Sequence, residues 1–271
     1  MSKPSFQPWL DRWGLTPDGD AFTTEYTGSW LLPVRQAERP AILKLATVPE
    51  EIAGAALMAW WDGQGAAEVL ARQDEALLLE RAEGSGSLID MSRGDQDDLA
   101  TAIICDAVAV LHAPRAAPPP SGLVPLDVWF GALGPGAANH GGVLVKAHET
   151  AQVLLSDPRE VVPLHGDVHH GNILDFGARG WLAIDPKCVL GERGYDYANP
   201  FCNPDTATAL IPGRLDRYLD LVSSRADMEP RRLLMWILAY SGLSAAWILD
   251  DGDPAKFDSS IAELAAARLY G

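Results

Sequence analysis

His165-Gly166-Asp167-Val168-His169-His170-Gly171-Asn172-Ile173-Leu174-Asp175-Phe176-Gly177 is the stretch on which the reading of the fold turns. It sets an asparagine five positions after an aspartate, with an apolar strand following directly. On one rigid loop, that spacing supplies a carboxylate able to take a proton and a hard amide oxygen suited to magnesium. The strand from Asn172 to Asp175 turns through Gly177-Ala178-Arg179-Gly180 and returns as Trp181-Leu182-Ala183-Ile184-Asp185, a hairpin pattern. If Phe176 pairs with Trp181, Asn172 faces Asp185, and an amide oxygen meets a carboxylate at the open end. Asp185 is thus read as the metal aspartate. Asp175, in the literal Asp175-Phe176-Gly177, falls inside the hairpin and reads as a turn residue.

The loop matches the pattern H-R-D-x-x-x-x-N of kinase catalytic loops, with Gly166 in place of the arginine. Upstream, Lys44 sits in the apolar strand Ala41-Ile42-Leu43-Lys44-Leu45 and is one of five lysines. It resembles the V-A-I-K strand whose lysine holds the α- and β-phosphates. Glu51, with Glu50 beside it, opens the next helix and is the candidate partner of Lys44. Thr23-Thr24-Glu25-Tyr26-Thr27-Gly28-Ser29 has one glycine where a phosphate loop has three. His165, His169 and His170 raise a zinc reading, but no H-E-x-x-H accompanies them. His165 is read instead as packing beneath the loop.

Outward from these motifs, residues 29–35 and 40–46 read as a hairpin, and residues 49–63 as a helix with Pro49 in its first turn. The first eighty residues thus read as short strands with one helix. The Gly84-Ser85-Gly86-Ser87 break is the best lobe boundary, giving an N-terminal, mainly β unit over 1–82 and a mainly helical unit over 83–271. Residues 97–111 carry apolar positions with a 3.6-residue period. Residues 161–204 read as strands and loops, and three helices follow from residue 215 on. The apolar residues 236–249 are too short and too interrupted for a membrane span.

The 37 acidic and 21 basic side chains leave a net charge of −16. That balance speaks against nucleic acid, whose phosphates need clustered Lys and Arg, and for a cationic substrate or simple solubility. Cys105, Cys188 and Cys202 form no CxxC pair and point to a reducing compartment. No signal-peptide pattern opens the chain. A cytoplasmic protein without a membrane partner is the expectation.

At this point the chain resembles the aminoglycoside phosphotransferases, and among them the streptomycin 6-phosphotransferases of the aminoglycoside/hydroxyurea kinase group. The matching blocks include Trp30-Leu31-Leu32-Pro33-Val34-Arg35, Trp60-Trp61-Asp62-Gly63-Gln64-Gly65, Leu111-His112-Ala113-Pro114-Arg115, His165 to Leu174, Gly180 to Lys187, Gly191 to Asn199, and Gly242 to Trp247. The resemblance implies an α+β, two-lobed, protein-kinase-like fold with MgATP between the lobes. It implies an ATP-dependent phosphotransferase acting on a small, cationic, hydroxylated compound, with streptomycin as the leading acceptor. A kinase for hydroxyurea or a metabolite and a nucleotide-binding pseudoenzyme are the alternatives. In this reading Asp167 takes the acceptor proton, while Asn172 and Asp185 hold Mg²⁺. Lys44, Glu51 and Ser29 serve the nucleotide, with adenine against the backbone from Glu80 to Ala82. Glu192, Asp196, Asp250 and Asp251 are candidate acceptor contacts, with Asp205 and Asp253 adding to the negative field. For Asp196, bracing the loop is the favoured role, and for Asp250, Asp251 and Asp253 a solvated helix end is the bland one.

Overall fold

The structure, a computed structural model, describes residues 4–23 and 29–271. The glycine-poor segment read as a phosphate loop falls almost wholly outside them. Trp30–Gln36 and Arg39–Leu45 form the expected hairpin, with Leu31 opposite Lys44. They sit inside a six-stranded antiparallel sheet in which Ala76–Glu80 flanks Arg39–Leu45 on the far side. Strand alternation decides which way Lys44 points. Ala41, Leu43 and Leu45 share one face with Leu78 and pack under Phe6, Trp9 and Leu10. Lys44 takes the other face, opposite Leu77, toward the helix Pro49–Trp61. A second N-terminal helix, Gln7–Trp13, covers the sheet where the sequence suggested only one helix. Pro8 in its first turn and left-handed Gly14 at its end delimit it.

Pro49–Trp61 starts at Pro49 with Glu50 and Glu51 in the first turn, where carboxylates favour the helix dipole. Gly54 decides how closely it docks. A Cβ there would lie 2.1 Å from the Pro186 carbonyl oxygen, so only glycine lets the helix reach the segment carrying Asp185.

Beyond Glu80 an extended segment leads to Ser87, whose hydroxyl caps the helix Leu88–Arg93. The periodic segment forms the helix Asp97–His112, and the three C-terminal helices are Arg214–Arg225, Pro230–Asp250 and Lys256–Tyr270. Pro230–Asp250 is long and apolar enough to cross a membrane by composition, yet 67% of its apolar window is buried inside the protein. It packs between Val143–Ser156 and Lys256–Tyr270, with Trp236, Ile237 and Leu238 fully buried. Its apolar character is that of a core helix.

Ile173–Asp175 and Trp181–Ala183 form the predicted hairpin, in a register one residue from the expected one. Trp181 faces Asp175 and Ala183 faces Ile173, which puts Ile184, not Asp185, opposite Asn172. The Ile184 amide donates to the Asn172 carbonyl at 2.9 Å. The cause is the turn, which takes in Phe176 through a bond from its amide to the Gly180 carbonyl.

Candidate active site

The loop holding Asp167 is fixed from below. Asp196, 1% exposed, accepts the amides of His165 and Gly166, both at 2.8 Å, and lies 2.8 Å from His112 Nε2. His165 accepts the Asp167 amide on Nδ1 at 3.2 Å and reaches the Ile184 carbonyl with Nε2 at 2.8 Å. Its imidazole is therefore neutral with Nε2 as the donor, and burial holds its pKa below the ordinary value. One buried ring thus ties the loop to the returning hairpin strand, as expected for a histidine beneath the loop.

Around Asp167 the side chains converge. Asn199 Nδ2 donates to Asp167 Oδ1 at 3.1 Å, and Asn203 Nδ2 donates to Asn199 Oδ1 at 2.8 Å. Asn172 Nδ2 donates to the Asp167 carbonyl at 2.9 Å, which leaves the amide oxygen free of bonds from described residues. Asp185, at φ 63°, turns its carboxylate back despite the register. Its Oδ1 pairs with Lys44 Nζ, and no described donor takes Oδ2. Asp167, Asn172 and Asp185 line one cavity of about 710 Å³. Two open oxygens on one polar wall suit Mg²⁺, which prefers oxygen ligands and keeps several waters.

Lys44, 4% exposed, lies 3.3 Å from Glu51 Oε1. The predicted pair is therefore formed, at a helix start where the glutamate also meets the dipole. Ser29 is fully buried, and its hydroxyl donates to Glu51 Oε2. The Glu80 side chain is likewise engaged, by Arg179 and by the Glu68 amide at 2.7 Å, whereas no described residue bonds the Ala82 amide. Asp175 holds the amides of Gly86 and Gly177 at 2.9 and 2.8 Å, away from Asn172.

Several acceptor candidates are displaced. Glu192 is 3% exposed and forms a two-point pair with Arg232 at 2.6 Å while accepting from Trp236 Nε1 at 2.8 Å. Burial pushes its carboxyl up, but these bonds and the Arg159 amide hold it below the usual range. It is a core ion pair, legible only once Arg232, forty residues on, is brought beside it. Asp196 is consumed by the loop, and Asp250 and Asp251 are solvated at a helix end. The cavity wall instead carries Asp205 and Asp258. Asp205 is paired with Arg93 at 2.7 Å. Asp258 is 7% exposed, and burial raises its pKa against a hydrogen bond from Ser244. Sequence reasoning also passed over Asn199 and Lys187 as site residues, although both stand in quoted blocks; the signal was their place next to Asp196 and Asp185.

A β-sheet lysine paired to a helix glutamate and to Asp185, beside an Asp-x-x-x-x-Asn loop, is the arrangement of a small-molecule kinase of protein-kinase-like fold. The chain belongs to the aminoglycoside/hydroxyurea antibiotic resistance kinase family, whose model matches residues 12–252. It is 53% identical to a streptomycin 3''-kinase of Klebsiella pneumoniae over 257 residues, covering 93% of this chain and 95% of that protein. A streptomycin 6-kinase of Streptomyces griseus is 29% identical, covering 93% and 85%, and a hydroxyurea phosphotransferase of Kitasatospora aureofaciens is 30% identical, covering 94% and 75%. Among solved structures, a thermostable mutant of aminoglycoside phosphotransferase APH(4)-Ia, in ternary complex with ADP and hygromycin B, superposes with a TM-score of 0.67 at 14% identity, covering 98% of each chain. A fructosamine-3-kinase homologue from Thermobifida fusca follows at 0.61 and 17%, again covering 98% of each.

Proposed function

We propose that this protein transfers the γ-phosphoryl group of ATP to a hydroxyl of streptomycin. The observation that carries the reading is the assembled set of Lys44, Glu51, Asp185, Asn172 and Asp167, in a chain half identical to a streptomycin 3''-kinase. The identities favour the 3''-hydroxyl over the 6-hydroxyl to which the sequence blocks pointed, since the 6-kinases stand at 29%. A cavity of about 710 Å³ falls in the range of drug-sized ligand sites and favours streptomycin over an acceptor as small as hydroxyurea.

In this reading Asp167 orients the acceptor hydroxyl and takes its proton, and Asn199 fixes the carboxylate. Lys44 holds the α- and β-phosphates, steadied by Glu51 and, through it, by Ser29. Asn172 and Asp185 would hold Mg²⁺, which when bound neutralises phosphate charge. Adenine meets the backbone at Glu80 to Ala82, with the lobes dividing near residues 82 and 83. Positioning and charge neutralisation are what phosphoryl transfer chiefly needs. The activity is placed in the cytoplasm. Incubation of the purified protein with MgATP and streptomycin, followed by mass and NMR analysis of the product, tests the proposal. A streptomycin monophosphate carrying the group on the 3''-oxygen is expected; ADP-free, unmodified streptomycin would overturn it.

A further inference from the structure

Lys187 enters the cavity from an unusual bend. Asp185 at φ 63° and Cys188 at φ 58° both adopt left-handed backbone, which residues with a Cβ rarely take. Between them, the Lys187 amide donates to the His165 carbonyl at 2.7 Å, so the bend is fixed to the loop that carries Asp167. Gly166, at φ 82°, makes room for it. A Cβ there would lie 3.1 Å from Lys187 Cβ and 3.0 Å from Val189 Cγ2. The residue that replaces the arginine of the kinase pattern is thus the one that admits this lysine.

The ammonium stands 3.7 Å from Asp167 Oδ2, with the side chain 17% exposed. Among the described residues lining the cavity it is the one Lys or Arg, set against Asp167, Asp185, Asp205 and Asp258. Lys44 is committed elsewhere, to Glu51 and Asp185. A cation next to the proton acceptor, on the segment that also carries a metal-type aspartate, stands where negative charge crosses between donor and acceptor.

We infer that Lys187 is a catalytic residue that contacts the transferred phosphoryl group beside Asp167. The inference rests on the proposed kinase reading. The acceptor oxygen bonds to the γ-phosphorus as the bond from that phosphorus to the β,γ-bridging oxygen breaks. ADP leaves with that electron pair, and the acceptor proton passes to Asp167. Lys187 neutralises the non-bridging oxygens throughout.

The test compares wild type with Lys187→Met and Lys187→Arg, melting curves being recorded for each. Calorimetry without acceptor measures the affinities for ADP and for a non-hydrolysable ATP analogue in magnesium. Lys187→Met should leave ADP binding unchanged and weaken the triphosphate analogue by about tenfold, the worth of one charge-assisted bond. Turnover should fall by about 10²–10³-fold, with the acceptor KM held, and Lys187→Arg should recover part of both. A lysine that only pins Asp167 would lower turnover with the ratio of ADP to triphosphate affinity unmoved, and that result overturns the assignment. If Lys187→Met does not fold, Lys187→Gln, which keeps stem length, answers by the same ratio. A wild type that binds neither nucleotide fails the kinase reading itself, whereas a wild type that binds both with an unmoved ratio in the variants fails only the lysine.

Discussion

Asp167 has one carboxylate oxygen on Asn199 and the other facing Lys187, so its own loss and the loss of its support are separable. Asp167→Asn should lower kcat by about 10²–10⁴-fold, the usual span for a lost general base, with nucleotide affinity kept in a binding assay. Asn199→Ala should cost less, on the order of 10²-fold at most, because it removes positioning and leaves the base. An Asn199→Ala enzyme as impaired as Asp167→Asn would show that Asn199 does more than hold the carboxylate. For the metal, Asp185→Ala should abolish turnover at every magnesium concentration. Asp175→Ala should keep most of it, while losing about 1–3 kcal/mol from the two amides it leaves unpaired. A dead Asp175→Ala enzyme with unchanged stability would restore the literal Asp-Phe-Gly as the metal motif. At this scale the sequence was informative wherever chemistry and spacing are local. The Lys44–Glu51 pair and the Asp167-to-Asn172 loop could be read directly. Asp185 was found from a register that is off by one residue, and it reaches the site because its backbone is left-handed, which no alternation pattern encodes.

Helices and strands were legible by period, and their mutual contacts were not. The periodic run at Asp97–His112 and the apolar Pro230–Asp250 announce themselves, whereas the short helix Leu133–His140, with two glycines and a proline, offers no such period. Glu192 shows the consequence, since a carboxylate in a loop-rich segment looks like a ligand contact until Arg232 is seen to face it. Glu192→Ala should therefore destabilise by about 3–5 kcal/mol, the usual result of stripping one partner from a buried pair. At ~2–4 °C per kcal/mol, the melting temperature should fall on the order of 10 °C. An unchanged melting temperature with a raised acceptor KM would return Glu192 to the acceptor site. A second buried knot joins two elements: Asp97 accepts from Ser92, Tyr218 and Arg214, the last at 2.9 Å. Burial opposes its charge, yet these bonds hold its pKa at about 2. A depressed folded pKa means that the contribution is complete above the ordinary carboxylate range and is lost as pH falls through the folded value. Asp97 should thus add about 2 kcal/mol at neutrality, disappearing between about pH 4 and pH 2. Urea unfolding of wild type and Asp97→Asn should show a constant stability gap above that window and a narrowing one within it. A gap independent of pH down to the lower limit would mean that the carboxylate is not the charged member of the knot.

A net charge of −16 predicts a cationic partner for the molecule as a whole, and the fold decides which acids can meet it. Those at the end of Pro230–Asp250 dissolve into solvent, Glu192 and Asp196 are spent on Arg232 and on the loop, and Asp205 already holds Arg93. Asp258 remains: buried on the cavity wall, without a salt bridge among the described residues, and with its pKa pushed up by burial. Nothing in Lys256-Phe257-Asp258 marks it in the sequence, because its exposure depends on how Lys256–Tyr270 lies against Pro230–Asp250. A guanidinium or ammonium brought beside it would offset that burial, by ~1.5–3 kcal/mol for a charged hydrogen bond. Asp258→Asn should accordingly raise the KM for streptomycin about tenfold or more, leaving the KM for ATP as it was. Asp250→Asn and Asp251→Asn should change neither. Added salt should raise the streptomycin KM of wild type by screening the cavity field, with a smaller effect on kcat. The sign with pH follows from the raised pKa: Asp258 is neutral at low pH and cannot pair with a cation, so the KM should climb on acidification before the ordinary carboxylate range is reached. Steady-state kinetics across salt and pH on wild type and Asp258→Asn check all of this together, since the variant should lose both dependences. If Asp258→Asn keeps the wild-type response to salt and acid, the cation is recognised elsewhere in the cavity.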